Sequence, residues 1–522
     1  MSDIRELLEA RTYEHGEKPF LFSEADSRIW SYSEFNAAVN QTSNLLKSAG
    51  IRKGDVVSLL LPNSPEYIIA YFACWKIGAL AGPVNSLLKS EEIEWVVGNS
   101  ESKLLIVNSA FGSVIENIVC PPVLIFDNVE LAADEYSDEL ETVEVSPDDE
   151  AIIIYTSGTT GKPKGCLLTH GNLMANARQI TEWMSFGPKD RLLSVMPLFH
   201  MNAVTVTTMT ALYCGGSTVV SPKFSASRFW DIVERYQVTS FGSVATMLSM
   251  LLSRQSPVVS GQPEVPRSKI QDQKSTSLRF AMCGSAPVPA EILRRFEDTF
   301  GVLVIEGYGL SESTCRSTFN PPNQNRRPGS CGLPIGNEMK VFDDNDNEVA
   351  DGVLGEIVLR GPNIFKGYFK NPEATEKAFA NGWFHTGDIG YRDEDGFFYI
   401  ADRKSDMIIR AGENIYPREI DDVLYTHPAV AHAAVIGVPD ELYGEEVAAF
   451  IVLKDGYTQA ETRPVGRVSS SVVAASDIID FCKLHLADYK CPKTVRFVSD
   501  IPKGPTGKLL KRELAKMFST EP

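Results

Sequence analysis

Short apolar runs alternate with helix-like segments through the first part of the chain. The runs VVSLLL (56–61), LLIV (104–107) and AIIIY (151–155) have the length of buried strands. Residues 65–78 and 172–184 have helical patterns and stand between or after these runs. Strands that alternate with helices indicate βαβ units and largely parallel sheets. We therefore predict an α/β fold with a large N-terminal domain of parallel-rich sheets.

The pattern changes to strands and tight turns after about residue 330. Residues 340–361 contain Asp-Asn and Asp-Gly turns between alternating strands, which predicts a β-rich subdomain. Beyond residue 402, a helical segment at 418–427 precedes strand-like runs at 433–438 and 448–453, so an α+β unit is expected there. Residues 253–277 and 457–471 are rich in polar residues and turn formers, which predicts surface loops.

Length, charge and cysteine usage restrict the class of protein. A chain of 522 residues exceeds what one hydrophobic core organises, so more than one domain is expected. The net charge of −18 argues against nucleic acid as a partner, although a few local cations can still hold a nucleotide. The nine cysteines include no zinc-like spacing, and Lys76 and two glycines interrupt the most apolar stretch. We expect a cytoplasmic protein with reduced thiols and no membrane span.

A loop rich in glycine, threonine and lysine follows the apolar run that ends at Tyr155. It reads YTSGTTGKPKG (155–165) and offers hydroxyl groups, accessible backbone amides and two lysines. Such a loop predicts phosphate binding, because glycines let the backbone approach an anion closely. It is not a Walker A loop, since Gly158 and Gly161 are too close together and Pro163 follows Lys162.

Six further blocks follow this loop: MPLFH (196–200), CGSAP (283–287), EGYGLSES (306–313), GWFHTGD (382–388), DRKSDMIIRAGENIYPREI (402–420) and PKGPTGK (502–508). Their order and spacing resemble the adenylate-forming superfamily, which includes acyl-CoA synthetases, carrier-loading adenylation domains and beetle luciferases. The resemblance covers nearly the whole chain. It implies an N-terminal AMP-binding domain over residues 1–404, a small mobile C-terminal lid over residues 405–522, and ATP, Mg²⁺ and coenzyme A as cofactors.

The resemblance also implies which residues bind the cofactors. Glu312 would hold Mg²⁺, and Ser311 would reach the α-phosphate. Asp388 would bind the ribose, and Arg403 would add a donor to the ribose or the phosphate. Catalytic roles fall to Thr156, Lys164, Glu312 and Lys508. The remaining cofactor-binding residues lie in the glycine-rich loop, the walls of the adenine site and the lid: Ser157, Gly158, Thr159, Thr160, Gly284, Ser285, Ala286, Pro287, Glu306, Gly307, Tyr308, Gly309, Gly412 and Asn414.

The implied lid has a lysine, a hinge and a wall for coenzyme A. Lys508 would contact the attacking carboxylate and the oxygens of the α-phosphate during adenylation. Rotation of the lid would then withdraw Lys508 and bring Gly412 to the pantetheine channel. The hinge position holds Ser405, where Asp or Lys is usual, and a small residue can absorb the same backbone change.

The expected acyl pocket contains His200, Asn202, Phe241 and Arg316. His200 stands where amino-acid-activating domains place an aspartate, so an α-amino acid would bury a cation without its counter-charge. Arg316 would pair with a second carboxylate or polar head of the acid, or face solvent, and both interpretations stay open. The blocks are most similar to fatty or medium-chain acyl-CoA ligases and to carnitine/crotonobetaine–CoA ligases.

The expected function is an ATP-dependent acid–thiol ligase. It would adenylate a carboxylic acid with release of pyrophosphate and then transfer the acyl group to coenzyme A with release of AMP. One alternative is an enzyme that loads a separate acyl carrier protein, and another is a non-enzymatic module that binds a nucleotide or an acid. A homodimer stays open as an assembly.

Overall fold

The computed structural model describes residue 1 and residues 3–156, 163–253, 277–284, 290–411, 413–460, 472–503 and 509–520. The chain divides into two compact units. The first comprises Met1–Ser285, Arg295–Met339 and Leu359–His385, and the second comprises Ala286–Arg294, Lys340–Val358 and Thr386–Pro522. The domain boundary predicted between Lys404 and Ser405 stays a prediction. Most of the two predicted surface loops lies outside the described residues.

One seven-stranded sheet of the first unit is parallel except at one edge. Its strands are, in order across the sheet, Leu303–Glu306, Phe280–Cys283, Ser240–Ser243, Arg191–Ser194, Ser217–Val220, Pro19–Ser23 and Ile29–Ser31, the last pair being antiparallel. The strand that follows Arg191–Ser194 in the chain lies toward one edge of the sheet, and the strand that follows Ser240–Ser243 lies toward the other edge. The strand order therefore reverses between these two neighbouring strands. Ligands of open α/β sheets bind beyond the carboxyl ends of strands at such a switch point.

A second seven-stranded sheet carries the glycine-rich loop. Its strands are, in order, Gly367–Tyr368, Lys164–Thr169, Glu150–Thr156, Leu80–Pro83, Val56–Leu60, Leu104–Val107 and Val123–Ile125. The first three pair antiparallel and the others parallel. The apolar runs of the sequence form its central strands, whose residues are almost all buried, as strands covered on both faces should be. The α/β prediction is confirmed.

Helices begin where the sequence supplies N-terminal caps. Ser31 accepts the backbone N–H of Glu34, whose carboxylate accepts the N–H of Ser31, and Ser64 precedes a helix with Pro65 at its first position. Among the described residues up to 378, the helices of four residues or more are Ile4–His15, Tyr32–Ser48, Pro65–Lys76, Ser90–Asn99, Gly112–Ile115, Val129–Ala133, His170–Met184, Asn202–Met209 (a π-helix), Thr210–Tyr213, Phe229–Tyr236, Ala245–Ser253, Ala290–Phe300 and Pro372–Ala378.

The later part of the chain is richer in strands. A five-stranded sheet contains Glu338–Phe342, Gly355–Arg360, Trp383–Arg392, Phe379–Ala380 and Phe398–Arg403. Another contains Glu413–Ile415, Ile408–Arg410, Gly444–Leu453, Val430–Asp440 and Thr494–Phe497. Two-stranded pairs join Thr318–Phe319 to Leu333–Pro334 and Thr458–Ala460 to Val472–Ala474. Helices Pro417–Thr426, Ala475–His485 and Lys511–Thr520 complete this part.

The C-terminal helices cover a long hairpin. Ile420 and Leu424 of Pro417–Thr426 pack with Ile478 of Ala475–His485 against the strands Val430–Asp440 and Gly444–Leu453. Leu514 packs in a second cluster with Phe450. The α+β organisation expected for this region is therefore present. Within the part of the chain that the structure describes, no helix is long and apolar enough to cross a membrane.

Candidate active site

The two described ends of the glycine-rich loop lie side by side. Thr156 is the last residue of the strand Glu150–Thr156, and it pairs directly with Lys164, the first residue of the returning strand. The hairpin therefore brings Thr156 and Lys164 together where the loop begins and ends. Ser157, Gly158, Thr159 and Thr160, which were predicted to bind phosphate, lie outside the described residues.

Glu312 joins this pair from a different part of the chain. It lies in a short 3₁₀ helix, Ser311–Ser313, and its carboxylate Oε1 is 3.5 Å from the Thr156 hydroxyl. The Tyr368 hydroxyl donates to the same Oε1 at 3.1 Å, and the Lys164 Nζ lies 5.0 Å from the centre of the Tyr368 ring. The backbone carbonyl of Glu312 accepts the N–H of Phe365 at 2.8 Å. The structure therefore brings together three of the predicted catalytic residues.

Tyr368 is a site residue that the sequence did not reveal. Burial raises its pKa, and the neighbouring Glu312 carboxylate raises it further, so the hydroxyl stays protonated and donates to Glu312. Tyr368 reaches this position because Gly367–Tyr368 pairs with the strand that begins at Lys164. An isolated Gly-Tyr pair has no distinctive spacing, so no sequence pattern indicated its role.

The predicted adenine wall is only partly described. Glu306 ends the edge strand Leu303–Glu306, is buried, and accepts the backbone N–H of Gly329 at 3.0 Å. Tyr308 follows it and is half-buried. Glycine is required at Gly309, because a side chain there would begin 2.1 Å from the Cys315 carbonyl oxygen. Gly307 and Gly284 are also described, whereas Ser285, Ala286 and Pro287 are not.

The predicted ribose-binding pair lies in the second unit. Asp388 is only 5% exposed and stands opposite Arg403 in the neighbouring strand, with 3.4 Å between the Arg403 Nε and an Asp388 carboxylate oxygen. Ser405 lies in the turn that follows, in which the Arg403 carbonyl accepts the N–H of Asp406 at 3.0 Å. Asn414 is exposed on the short strand Glu413–Ile415. Gly412 and Lys508 lie outside the described residues.

The carboxylate of Glu312 would suit a magnesium ion that is shared with a nucleotide. Among the described residues, no group of three or more His, Cys, Asp or Glu side chains is arranged to hold a metal. Mg²⁺ commonly uses one or two protein carboxylates and completes its octahedron with phosphate oxygens and water. Glu312, beside Thr156 at one described end of the glycine-rich loop, is the residue that would offer such a carboxylate.

The predicted acyl-pocket residues divide into two groups. His200 and Asn202 follow the strand Arg191–Ser194 at the switch point, and Arg316 is buried. Burial lowers the pKa of His200 to about 4, so this imidazole is neutral near pH 7. Phe241 stays a prediction; it is fully buried, with its ring 4.7 Å from that of Phe229. It faces the opposite side of its strand from Gly242, on which Asn202 packs.

Comparison with known proteins identifies the class. Residues 8–369 match the AMP-binding enzyme family, and residues 419–508 match the AMP-binding enzyme C-terminal domain. The chain is 34% identical to a sulfoacetate–CoA ligase of Cupriavidus necator, over 97% of this chain and 96% of the ligase. It is 34% identical to an oxalate–CoA ligase of Arabidopsis thaliana, over 92% and 91% of the two chains. The ATP-bound structure of MatB from Rhodopseudomonas palustris superposes with a TM-score of 0.89 at 30% identity, over 100% of this chain and 99% of MatB.

The two family matches and the coenzyme A ligases among the relatives define a nucleotide-dependent acid-activating enzyme. The chain belongs to the AMP-binding enzyme family, in the branch of acyl-CoA synthetases. The predictions of acid adenylation, of transfer to coenzyme A, and of ATP, Mg²⁺ and coenzyme A as cofactors are confirmed. The residues that perform these steps are a matter for proposal.

Proposed function

We propose that this acyl-CoA ligase activates a short, polar carboxylic acid, and that Thr156, Lys164 and Glu312 form the centre of its adenylation site. The observation that carries the proposal is the Glu312 carboxylate, which lies beside the phosphate-binding loop within reach of the Thr156 and Tyr368 hydroxyl groups. Phosphoryl transfer depends mainly on positioning and on neutralisation of charge. These side chains offer both functions at one point.

Each residue has a distinct task in the first half-reaction. Lys164 and the loop that begins at Thr156 bind the phosphates, while Ser311 reaches the α-phosphate. Glu312 would hold Mg²⁺, which would supply positive charge to the phosphate oxygens. The carboxylate of the acid attacks the α-phosphorus, the bond to pyrophosphate breaks, and an acyl-adenylate forms. Lys508 is proposed to stabilise the charge that develops on the reacting oxygens.

The second half-reaction uses a better leaving group. A free carboxylate cannot expel oxide, whereas the acyl-adenylate expels AMP when a thiolate attacks the acyl carbon. The thioester forms as the bond between the acyl carbon and the phosphate oxygen breaks. Asp388 and Arg403 are proposed to bind the ribose hydroxyl groups, which a buried carboxylate and a neighbouring guanidinium can do by accepting and donating hydrogen bonds.

The proposal of a short, polar acid rests on the residues around the switch point. Asn202 and Arg316 place polar atoms in the interior where a long alkyl chain would need an apolar wall. The similar enzymes whose names specify sulfoacetate and oxalate act on such acids. His200 is half-buried and its imidazole is neutral, so we assign it to the wall of the pocket and not to proton transfer.

A panel of acids tests this proposal. With ATP and Mg²⁺ held constant and coenzyme A omitted, short polar acids should support release of pyrophosphate, whereas acids of ten or more carbons should not. Addition of coenzyme A should then give the thioester. Preference for a long-chain acid would overturn the assignment, and a thioester formed only on an added acyl carrier protein would favour the carrier-loading alternative.

A homodimer and a cytoplasmic location are further proposals, which sedimentation and cell fractionation test.

A further inference from the structure

Arg316 is a buried cation without a counter-charge among the described residues. Its side chain is 1% exposed, and its Nε and Nη2 have no hydrogen-bond partner in the described part of the chain. The Nη1 makes only a long contact of 3.5 Å to the Cys315 carbonyl oxygen, and the guanidinium lies 5.4 Å from the centre of the Phe319 ring. Burying a guanidinium is unfavourable unless an anion compensates it.

The backbone of Arg316 is held firmly, so the guanidinium is presented in a defined direction. Asn176 accepts the Arg316 N–H at 3.1 Å and donates to the Arg316 carbonyl at 2.7 Å, and Asn363 donates to the same carbonyl at 3.2 Å. A side chain whose backbone is fixed in this way binds a ligand at a lower entropic cost.

Asn202 is a second buried polar side chain without a partner. It is 4% exposed, and neither atom of its amide forms a hydrogen bond to any residue that the structure describes. It is the first residue of the π-helix Asn202–Met209, a type of distortion that is frequent at functional sites. The Nε2 of His200, two residues earlier, is also buried without a described partner.

Asn202 and Arg316 lie over the same face of one sheet. A side chain at Gly242 would begin 2.3 Å from the Asn202 Oδ1, and one at Gly284 would begin 2.7 Å from the Arg316 Nη2. Gly242 pairs with Met282 in the next strand, so Gly242 and Gly284 point to the same face. Their α-carbons are therefore about 8 Å apart, from two residues along a strand and one strand spacing. The absence of side chains at Gly242 and Gly284 thus leaves room over this face for the Asn202 amide and the Arg316 guanidinium.

We propose that Arg316, with Asn202, binds a second anionic group of the acid substrate, a carboxylate or a sulfonate remote from the carboxylate that is adenylated. This assignment rests on the proposed function and names the class of acid. A guanidinium binds either anion through two parallel hydrogen bonds, and its Nε and Nη2 are the two donors that stand side by side for this purpose. The Asn202 amide would donate a further hydrogen bond. A neutral acid of equal length would leave the buried cation uncompensated.

Matched pairs of acids test the assignment. Propionate is compared with malonate and with sulfoacetate, and butyrate with succinate, as kcat/KM for pyrophosphate release by the intact enzyme. The unaltered enzyme should prefer the anionic member of at least one pair by on the order of 10²-fold or more, as sites do when loss of a ligand leaves buried polar groups unpaired. Malonate against sulfoacetate distinguishes a carboxylate site from a sulfonate site.

Two variants and one control locate the preference. Arg316→Gln should abolish the preference through a higher KM for the anionic acid, while the KM for ATP stays within about twofold. Arg316→Lys should retain part of the preference, because lysine keeps the charge but lacks the paired donors. Asn202→Asp, nearly isosteric, should lower the use of anionic acids and spare neutral ones. Arg228→Gln removes an arginine whose side chain is 51% exposed and should change neither ratio.

The outcomes separate this inference from the proposed function. Turnover of neutral acids with no preference for the anionic partner, or equal losses for both members in Arg316→Gln, would overturn the anion site and leave acid activation intact. A raised KM for ATP in Arg316→Gln would assign the guanidinium to the nucleotide and would also overturn it. Absence of pyrophosphate release with every acid would count against the proposed function and the anion site together.

Discussion

Replacement of Tyr368 by phenylalanine tests whether a residue outside the recognised motifs positions Glu312, the proposed ligand of Mg²⁺. The change removes one hydroxyl group, whose hydrogen bond to the Glu312 Oε1 is 3.1 Å long. The hydrogen bond from the Thr156 hydroxyl to the same oxygen is longer, at 3.5 Å, and therefore weaker. The ring and its contact with Lys164 remain in the variant.

The magnitude follows from the charge of the acceptor. A hydrogen bond to a charged group contributes about 1.5–3 kcal/mol, and the lower half of this range applies because Tyr368 is only half-buried and water can replace part of the interaction. A loss of about 1.5–2 kcal/mol corresponds to a decrease of roughly 10- to 30-fold in kcat/KM for pyrophosphate release. Because Tyr368 acts through Glu312, the loss should appear mainly as a weaker apparent affinity for Mg²⁺.

The assay is a titration of Mg²⁺ at saturating ATP, for the unaltered enzyme and the Tyr368→Phe variant. The variant should need more Mg²⁺ and should recover most of its rate at high Mg²⁺. Transfer of a supplied acyl-adenylate to coenzyme A should be unaffected. Tyr236→Phe is the control, because Tyr236 is a buried tyrosine whose hydroxyl donates to the Ser23 carbonyl at 3.3 Å. A lower rate with an unchanged dependence on Mg²⁺ would refute the positioning role.

Four further predictions concern other parts of the chain. Glu312→Gln should sharply reduce pyrophosphate release, because a neutral amide is a weaker ligand for Mg²⁺; an unchanged rate would remove Glu312 from the site. Asp388→Ala should weaken ATP binding by roughly 1–3 kcal/mol, and equal use of ATP and 2′-deoxy-ATP by the unaltered enzyme would exclude the ribose contact. Lys508→Ala should lower adenylation by on the order of 10²–10³-fold and spare thioester formation from acyl-adenylate. Ser405→Pro should spare adenylation and lower thioester formation, because proline restricts the backbone of the hinge. Equal damage to both half-reactions in both variants would exclude a rotating lid. Burial lowers the pKa of His170 to about 4, so below about pH 6.5 the unfolded chain binds a proton more readily than the folded one. The free energy of unfolding should therefore fall by up to about 1.4 kcal/mol per pH unit as the pH drops from 6.5 toward 4. His170→Gln should flatten this dependence in thermal melts.

Much of the fold could be predicted because its strands are continuous apolar runs. The run LLIV forms the strand Leu104–Val107, and the helical pattern at 418–427 forms Pro417–Thr426. Such segments are buried on both faces or along one stripe, so the amino-acid pattern records their environment directly. The glycine-rich loop was recognisable because phosphate binding restricts the residue types, and the Ser-Glu pair at 311–312 was recognisable through the resemblance to adenylate-forming enzymes.

The features that escaped prediction depend on contacts between distant segments. Alternate residues of a strand face opposite sides, and the sequence does not show which side is the core; Phe241 packs on the side away from Gly242 and Asn202. The π-helix that begins at Asn202 has no established sequence signature. Arg316 is buried and, among the described residues, has no ion pair; its backbone is held by Asn176, which is 140 residues away, so the sequence left its two interpretations open.

The fate of the acid's own oxygen tests the central claim most directly. The acid is prepared with ¹⁸O in its carboxylate and turned over with ATP, Mg²⁺ and coenzyme A, and the products are examined by mass spectrometry. Attack of the carboxylate on the α-phosphorus predicts that one labelled oxygen passes to AMP, that pyrophosphate is unlabelled, and that the other label stays in the thioester. Label in inorganic phosphate, with ADP as the nucleotide product, would show an acyl-phosphate route and would contradict the adenylation site proposed for Thr156, Lys164 and Glu312.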